Sequence, residues 1–135
     1  MVSNYANQLG EFIQDEFHDN RYYTELAEKA PNAESKRILL QIADDENTHA
    51  KNFMREYYRL TGKSYQVKPI ELEDIPSFRE ALLVRIKAEI NGYKTYQKQS
   101  LIAPNRILGD LFAEAAAGET EHAMLLQMLY SEGAM

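Results

Sequence analysis

The chain repeats part of its own sequence at a fixed offset of 73 residues, and the repeated residues include acids and histidines. Between Leu9 and Tyr57, 12 of 49 positions carry the same residue as the position 73 further on, without a gap. Unrelated sequences of ordinary composition would share roughly three. The most distinctive pairs are Glu16 with Glu89, Glu46 with Glu119, and His49 with His122. The chain is therefore predicted to contain two copies of one structural unit.

Capping residues and prolines divide the sequence into four predicted helices. Pro31 and Pro104 each end one helix, and the Asn that follows each proline is placed to cap the next helix. Ser77 and Glu80 form a capping box for the third helix. The predicted ranges are about 3–30, 32–61, 77–103 and 105–133. No alternation typical of a strand competes with this interpretation.

The lengths of the connections predict how the helices are arranged. Only a few residues join the helices within each pair, so each pair must form an antiparallel hairpin. The hairpins, about 3–61 and 77–132, are separated by a segment, about 61–76, that is long enough to run the length of a bundle. We therefore predict one domain over residues 1–135, an all-α, ferritin-like four-helix bundle of two pseudo-symmetric hairpins joined by one long crossover.

Each predicted helix carries one glutamate within its apolar stripe. Glu16 shares its helix face with Leu9, Phe12 and Tyr23, which follow a helical period. The other three repeated glutamates lie in equivalent stripes, and the two repeated histidines lie three residues after two of them. A single glutamate or histidine in such a place is usually a boundary residue that reaches water. Six at matching positions indicate a shared site.

The four inward glutamates require compensating positive charge. An unpaired buried carboxylate is costly, and we find no Lys or Arg on the inner stripes within one turn of these glutamates. Two divalent cations would balance the four negative charges. A Glu from each of two helices and a Glu-x-x-His from each of the other two form the ligand set of dinuclear carboxylate bundles. Mixed carboxylate and imidazole ligands favour iron or manganese over structural zinc.

Composition excludes several other functions. The formal charge of −6, with 15 basic residues scattered among 21 acidic ones, argues against nucleic acid as a partner. There is no cysteine, which excludes a thiolate-held iron–sulfur cluster or rubredoxin-type iron site. No apolar run is long enough to cross a membrane, and no secretory signal is visible at the N-terminus. We expect a soluble cytoplasmic protein, with no membrane partner.

Four runs of residues resemble the rubrerythrin branch of the ferritin-like superfamily. They are 15–23 (DEFHDNRYY), 45–50 (DENTHA), 89–96 (EINGYKTY) and 119–123 (ETEHA). The resemblance implies that Glu46 and Glu119 bridge two metal ions. It also implies terminal ligands at each metal, which are Glu16, His49, Glu89 and His122.

The same resemblance implies roles for neighbouring side chains. Tyr23 and Tyr96 match tyrosines that hydrogen-bond to the metal-binding carboxylates, and Asp45 matches an acid that accepts a hydrogen bond from the ligand His122. Gly118 precedes Glu119, so His49 lacks such a partner. The chain departs from the usual pattern at Gly92, where relatives carry a further carboxylate.

These observations predict a non-haem di-iron oxidoreductase that reacts with hydrogen peroxide or dioxygen and serves in oxidative stress or iron handling. Manganese or a mixed iron and manganese pair is the alternative metal content. An external donor would return the electrons, and we expect the chain to act as a homodimer. The alternatives are a ferroxidase, in which iron is the substrate, a dimanganese catalase, and a non-catalytic metal-binding domain.

Overall fold

The computed structural model of the protein describes residues 4–133, which form four α-helices and no strand. In chain order the helices are α1 (Asn4–Ala27), α2 (Ala33–Thr61), α3 (Phe78–Ile102) and α4 (Arg106–Gly133). The predicted start of the first helix at residue 3 lies outside the described part of the chain. None of these helices is both long enough and apolar enough to cross a lipid bilayer.

The caps predicted from the sequence begin three of the helices. In each case a side-chain oxygen accepts a hydrogen bond from the backbone N–H three residues further on, which satisfies one of the free donors of the first turn. The pairs are Asn32 with Ser35 at 2.8 Å, Ser77 with Glu80 at 3.3 Å and Asn105 with Leu108 at 2.9 Å. Gly62 ends α2 with a φ of 72°, a left-handed conformation that glycine adopts without strain.

Helix α1 ends at Ala27, three residues earlier than the predicted end at Ala30. The N–H groups of residues 28–30 donate to carbonyl groups three residues back, so the chain closes in a tighter turn than an α-helix. The following Pro31 explains the difference, because a proline disfavours the α conformation of the residue before it.

The two hairpins, α1 with α2 and α3 with α4, pack against each other through α2 and α4. Side chains of α1 and α3 also meet, as in the edge-to-face contact of Phe12 with Tyr96. The crossover, residues 62–77, follows the outer surface of α1 and is attached to Gln14. The bundle of two antiparallel hairpins and one long crossover that the sequence predicted is confirmed.

The core consists of two apolar clusters separated by a charged layer. The first cluster contains Tyr22, Tyr23, Leu26, Leu39, Ile42, Leu82 and Leu126, and the second contains Leu9, Ile13, Phe53, Tyr96, Leu108 and Phe112. Along α1, Glu16 lies between Ile13 of the second cluster and Tyr22 of the first. The buried glutamates of the other three helices also lie between residues of the two clusters. Apolar packing on both sides therefore keeps this layer away from bulk water.

We expect Gln14→Ala to loosen the crossover while leaving the core intact. The Gln14 side chain accepts hydrogen bonds from the Tyr65 hydroxyl at 2.8 Å and the Lys68 N–H at 3.0 Å, and donates to the Lys68 carbonyl at 3.0 Å. Because each bond contributes about 0.5–1.5 kcal/mol and these are partly exposed, the free energy of unfolding should fall by about 1–2 kcal/mol. Urea denaturation measures the change, with Gln8→Ala on an exposed face of α1 as the control. Equal midpoints for the two variants would show that Gln14 does not hold the crossover.

Candidate metal centre

Six titratable side chains converge between the two apolar clusters. Each helix contributes one carboxylate, and α2 and α4 also contribute one imidazole each. All six side chains are buried, with exposures between 0 and 8%. They are the repeated residues Glu16, Glu46, His49, Glu89, Glu119 and His122. The structure therefore brings together every residue that the sequence predicted as a metal ligand.

The six side chains form two overlapping groups of four, which we call position one and position two. Position one comprises Glu16, Glu46, His49 and Glu119, and position two comprises Glu46, Glu89, Glu119 and His122. Within each group the ligand atoms lie within 4.8 Å of one another. Glu46 and Glu119 belong to both groups. Shared carboxylates between two sites are the arrangement that holds a pair of cations in dinuclear bundles.

Several of these ligand atoms have no hydrogen-bond partner among residues 4–133. They are Glu16 Oε2, both carboxylate oxygens of Glu46, Glu89 Oε2, Glu119 Oε1 and His49 Nδ1. Folded proteins pair nearly all buried polar groups, and a buried charge without a partner is especially costly. All of these atoms are lone-pair donors directed into one small volume. The residues present therefore fit a site for two divalent cations.

Without a bound cation, the buried carboxylates hold their protons to a higher pH than ordinary glutamates do. Burial raises the pKa of Glu16 to about 8 and that of Glu46 to about 7. Burial also raises the pKa of Glu89. For Glu119, burial and the charges of the other three carboxylates raise the pKa far above its usual range. Metal ions must displace these protons when they bind.

The two histidines differ in their electrostatic surroundings. Burial alone would lower the pKa of His122, but the carboxylates of Glu46 and Glu89, which lie 3.2 and 2.8 Å from its Nδ1, outweigh burial and raise the pKa to about 11. The His122 imidazolium thus supplies one positive charge to the metal-free site, with its Nδ1 2.8 Å from a Glu89 oxygen. Burial lowers the pKa of His49, whose Nδ1 lies 3.4 Å from Glu16. A metal ion at position two must therefore replace the proton on His122 Nδ1.

The expectation that no cation lies near the glutamates is wrong. Arg85 is only 5% exposed, and its Nη2 lies 3.5 Å from Glu89 and 3.1 Å from Asp19. The guanidinium therefore offsets part of the negative charge of position two. Its spacing of four residues from Glu89 places both side chains on one face of α3, which was the signal in the sequence. In the first half of the repeat the equivalent position holds Phe12.

The difference between Arg85 and Phe12 at equivalent positions of the repeat also explains why Tyr23 and Tyr96 make different hydrogen bonds. The Tyr96 hydroxyl donates to Glu16 at 2.7 Å, the contact that the resemblance implied. The Tyr23 hydroxyl instead accepts a hydrogen bond from Arg85 Nε at 3.1 Å. Both hydroxyl groups are buried, and burial raises the pKa of each well above its usual range. Tyr96 is thus a neutral donor that fixes a carboxylate, whereas Tyr23 helps to fix Arg85.

The histidines also differ in the partner of the ring nitrogen that faces away from the centre. His122 Nε2 lies 2.9 Å from an Asp45 oxygen, as the resemblance implied. Because its partner is a carboxylate oxygen, this ring nitrogen carries a hydrogen and donates a hydrogen bond to Asp45. His49 Nε2 instead faces the backbone of Gly118, where a Cβ would lie 3.1 Å from it. Only the imidazole of position two is oriented by a carboxylate.

Comparison with known proteins agrees with this geometry. A family model described as Rubrerythrin matches residues 7–74, half of the chain. An uncharacterised protein of Bacillus subtilis strain 168, YhjR, is 29% identical over 117 residues, which cover 86% of this chain and 79% of that protein. A hypothetical protein from Pyrococcus furiosus has a solved structure similar to this one, with a TM-score of 0.79 and 22% identity. The similarity covers 91% of this chain and 85% of that one. At that identity, the likeness shows the fold alone.

We expect the metal-free protein to lose stability as the pH rises from about 4.5 to about 8. The folded-state pKa values of Glu16, about 8, and Glu46, about 7, both exceed the ordinary value of 4.5. In this window the folded protein holds protons that the unfolded chain releases, so the free energy of unfolding falls with pH. The raised pKa of His122 adds to the trend above pH 6.5, and the lowered pKa of His49 opposes it.

Thermal melts of chelated and metal-loaded protein across this range test the expectation. Bound metal should raise the melting temperature by more at high pH, because deprotonated ligands bind metal and unfolded chains do not form the site. A chelated protein whose melting temperature climbs towards pH 8, or one that metal does not stabilise at any pH, would contradict this account of the buried layer.

We expect Asp45→Asn to weaken metal binding at position two by about 10- to 100-fold, as is typical when the partner of a ligating histidine is lost. Position one should keep most of its affinity, because the hydrogen bond of Asp45 is with His122, whereas His49 Nε2 faces Gly118. Anaerobic titration with Co(II) measures both sites, and Asp44→Asn, an exposed neighbour, is the matched control. Equal loss at both positions, or no loss at either, would show that the two halves are not differentiated by Asp45.

Proposed function

The chain belongs to the rubrerythrin family, and on this basis we propose that it is a di-iron oxidoreductase that reduces hydrogen peroxide or dioxygen. The observation that supports the proposal most strongly is the pair of four-residue groups that share Glu46 and Glu119. Several of their ligand atoms lack hydrogen-bond partners among the described residues, and the carboxylate charges lack full compensation. Two divalent cations would supply both the missing partners of these atoms and the missing positive charge.

In this proposal Glu46 and Glu119, which belong to both groups, would be ligands that the two ions share. Glu16 and His49 complete position one, and Glu89 and His122 complete position two. The four carboxylates carry −4 and the two ions +4, so the buried layer becomes nearly neutral once it is loaded. The ligand set is rich in oxygen and includes two imidazoles, which suits iron or manganese. Iron is the proposed metal, with manganese or a mixed pair as the alternative.

When bound, an iron pair would supply two electrons to the oxidant. Neighbouring side chains fix the orientation of the proposed ligands. Tyr96 holds the Glu16 carboxylate, Asp45 holds the His122 ring, and Arg85 holds Glu89. The apolar clusters on both sides exclude bulk water from the layer, which strengthens every charge interaction inside it.

The electrons must be returned by a separate donor, because the sequence contains no cysteine to hold an iron–sulfur or rubredoxin-type centre. We therefore propose an external reductant as a partner. We propose a catalyst and not a storage or carrier protein. A ferroxidase is the second candidate. Asp15 lines the same cavity as Glu16, and its carboxyl group would suit an incoming iron ion. A homodimer and a cytoplasmic location stay predictions.

Anaerobic loading with two equivalents of Fe(II), followed by rapid mixing with hydrogen peroxide or dioxygen, tests the function. We expect one equivalent of peroxide to oxidise both ions within a single turnover, monitored by the ultraviolet absorption of the oxidised pair. Glu46→Ala should abolish this reaction because it removes a ligand shared by both ions. Glu71→Ala, an exposed acid of the crossover, should leave it unchanged.

The response to excess Fe(II) distinguishes the two candidates. A ferroxidase continues to oxidise added iron, whereas the proposed oxidoreductase stops after one turnover unless an electron donor is added. If protein that has bound two Fe(II) ions reacts with neither oxidant, the catalytic proposal is wrong and a non-catalytic metal-binding role replaces it.

A further inference from the structure

The outer surface of α3 carries a ridge of aliphatic and lysine side chains. We call it the α3 ridge, and it consists of six exposed residues, Leu83, Lys87, Ile90, Lys94, Lys98 and Leu101. Their spacings of three or four residues place all six side chains on one side of the helix. The α3 ridge is therefore a continuous strip that mixes apolar and positively charged groups.

The α3 ridge carries only positive charge. Between residues 81 and 109 the only acid is Glu89, which is buried in the candidate metal centre, and Glu80 precedes the ridge in the first turn of α3. The equivalent residues of the first hairpin, 8–36, include seven acids, so the two halves of the repeat differ in surface charge. The lysines of the α3 ridge form no ion pair within residues 4–133. The ridge is thus a local positive surface on a chain whose formal charge is −6.

The equivalent side of α1 is covered by the crossover. Gly10 and Gln14 occupy the positions that correspond to Leu83 and Lys87. The Tyr65 ring lies against Gly10, where a Cβ would be 2.9 Å from it, and the Tyr65 hydroxyl donates to Gln14. On α3 no segment of residues 4–133 takes this place, so the aliphatic side chains of the ridge remain in solvent. A contiguous exposed strip of this kind marks a contact surface.

Aliphatic side chains protrude most strongly where α3 ends and α4 begins. Leu101 is 82% exposed, Ile102 61% and Ile107 50%. These residues form a projection at the end of the bundle and not a groove. A rigid protein partner would need a matching hollow to bury them. A lipid bilayer needs none, because its headgroups and acyl chains move aside for a protruding apolar side chain.

We propose that the α3 ridge and the turn that follows it bind the surface of a membrane that contains acidic phospholipids. The lysines of the ridge contact the phosphate groups, while their hydrocarbon stems lie beside the neighbouring aliphatic side chains. Leu101 and Ile102 enter the boundary between headgroups and acyl chains. The expectation of no membrane partner rested on the lack of an apolar run long enough to cross a bilayer, which does not bear on contact with its surface.

A second copy of the chain is a less suitable partner for this surface. Two α3 ridges in contact would bring together the lysines of both copies, with no acid of either ridge to pair them. Like charges placed opposite each other disfavour an interface. The expected homodimer would therefore use another surface of the bundle.

Co-sedimentation of the metal-free protein with lipid vesicles tests the proposal, so the outcome does not depend on the candidate metal centre. Vesicles of phosphatidylcholine alone are compared with vesicles of phosphatidylcholine and phosphatidylglycerol in equal parts, at low and at high salt. We expect binding only to the vesicles that contain phosphatidylglycerol. High salt should weaken this binding, because it screens the attraction between lysines and phosphate groups.

Lysine variants test the role of charge. Lys87→Gln/Lys94→Gln should weaken binding to the acidic vesicles by about 10- to 30-fold, from about fivefold for each lysine near an anionic surface. Lys29→Gln/Lys36→Gln makes the same change in net charge on the first hairpin and should stay within about twofold of the parent protein. Equal losses for the two double variants would show that only net charge matters, which overturns the α3 ridge as the binding surface.

Leu101→Gln tests the apolar contact. We expect about tenfold weaker binding to the acidic vesicles, because the side chain no longer enters the bilayer boundary. Leu40→Gln makes the same substitution at an exposed leucine of α2 and should stay within about twofold of the parent. All of the substituted side chains are exposed, and circular dichroism confirms that each variant keeps its helices. Unchanged binding of Leu101→Gln would overturn the insertion of the turn.

The remaining outcomes identify other occupants of the surface. Binding to neither kind of vesicle at low salt would overturn the proposal in favour of a protein partner. Sedimentation equilibrium of the protein alone then shows whether that partner is a second copy, because Leu101→Gln would shift the association state. Equal binding to neutral and acidic vesicles would overturn the role of the lysines.

Discussion

The mutual repulsion of four buried carboxylates is the constraint on which the rest of this structure depends. Each helix places one glutamate in a layer that two apolar clusters separate from water. Such a layer is unstable unless positive charge enters it, because burial strengthens repulsion as much as attraction. In the metal-free protein the charge comes from protons on the glutamates, from the His122 imidazolium and from Arg85. Bound metal ions would replace the protons, which would couple metal binding to folding through one layer.

The internal repeat builds a symmetrical set of ligands and then departs from symmetry in the residues that surround them. Position two receives Arg85 and the Asp45 carboxylate, whereas position one receives Phe12 and the bare backbone of Gly118. A cavity of about 220 Å³, lined by Glu16, Gly92 and Glu119, leads to position one. Position two is therefore fixed by charged side chains, whereas position one is accessible through the cavity. Both positions nevertheless contain the same types of candidate ligand.

The sequence was sufficient to predict which six side chains converge, because two independent periodicities agree on them, the helical period and the offset of 73 residues. Capping residues likewise located the helix ends, except where Pro31 forced an early turn after Ala27. Arg85 was missed because a long cationic side chain near an apolar stripe usually reaches water. Only the fold shows that Asp19 and Tyr23, from another helix, meet it inside the bundle. Contacts between side chains of α1 and α3 depend on how the two helices pack. They cannot be predicted from the spacing of residues along one helix.

Anomalous X-ray diffraction from crystals of anaerobically metal-loaded protein, recorded at the metal absorption edge, tests the central claim most directly. The account predicts two peaks per chain, about 3.5–4 Å apart as in other two-metal sites, with Glu46 and Glu119 in contact with both. A single peak, or peaks only at the protein surface, would contradict the claim that a pair of cations compensates the buried carboxylates.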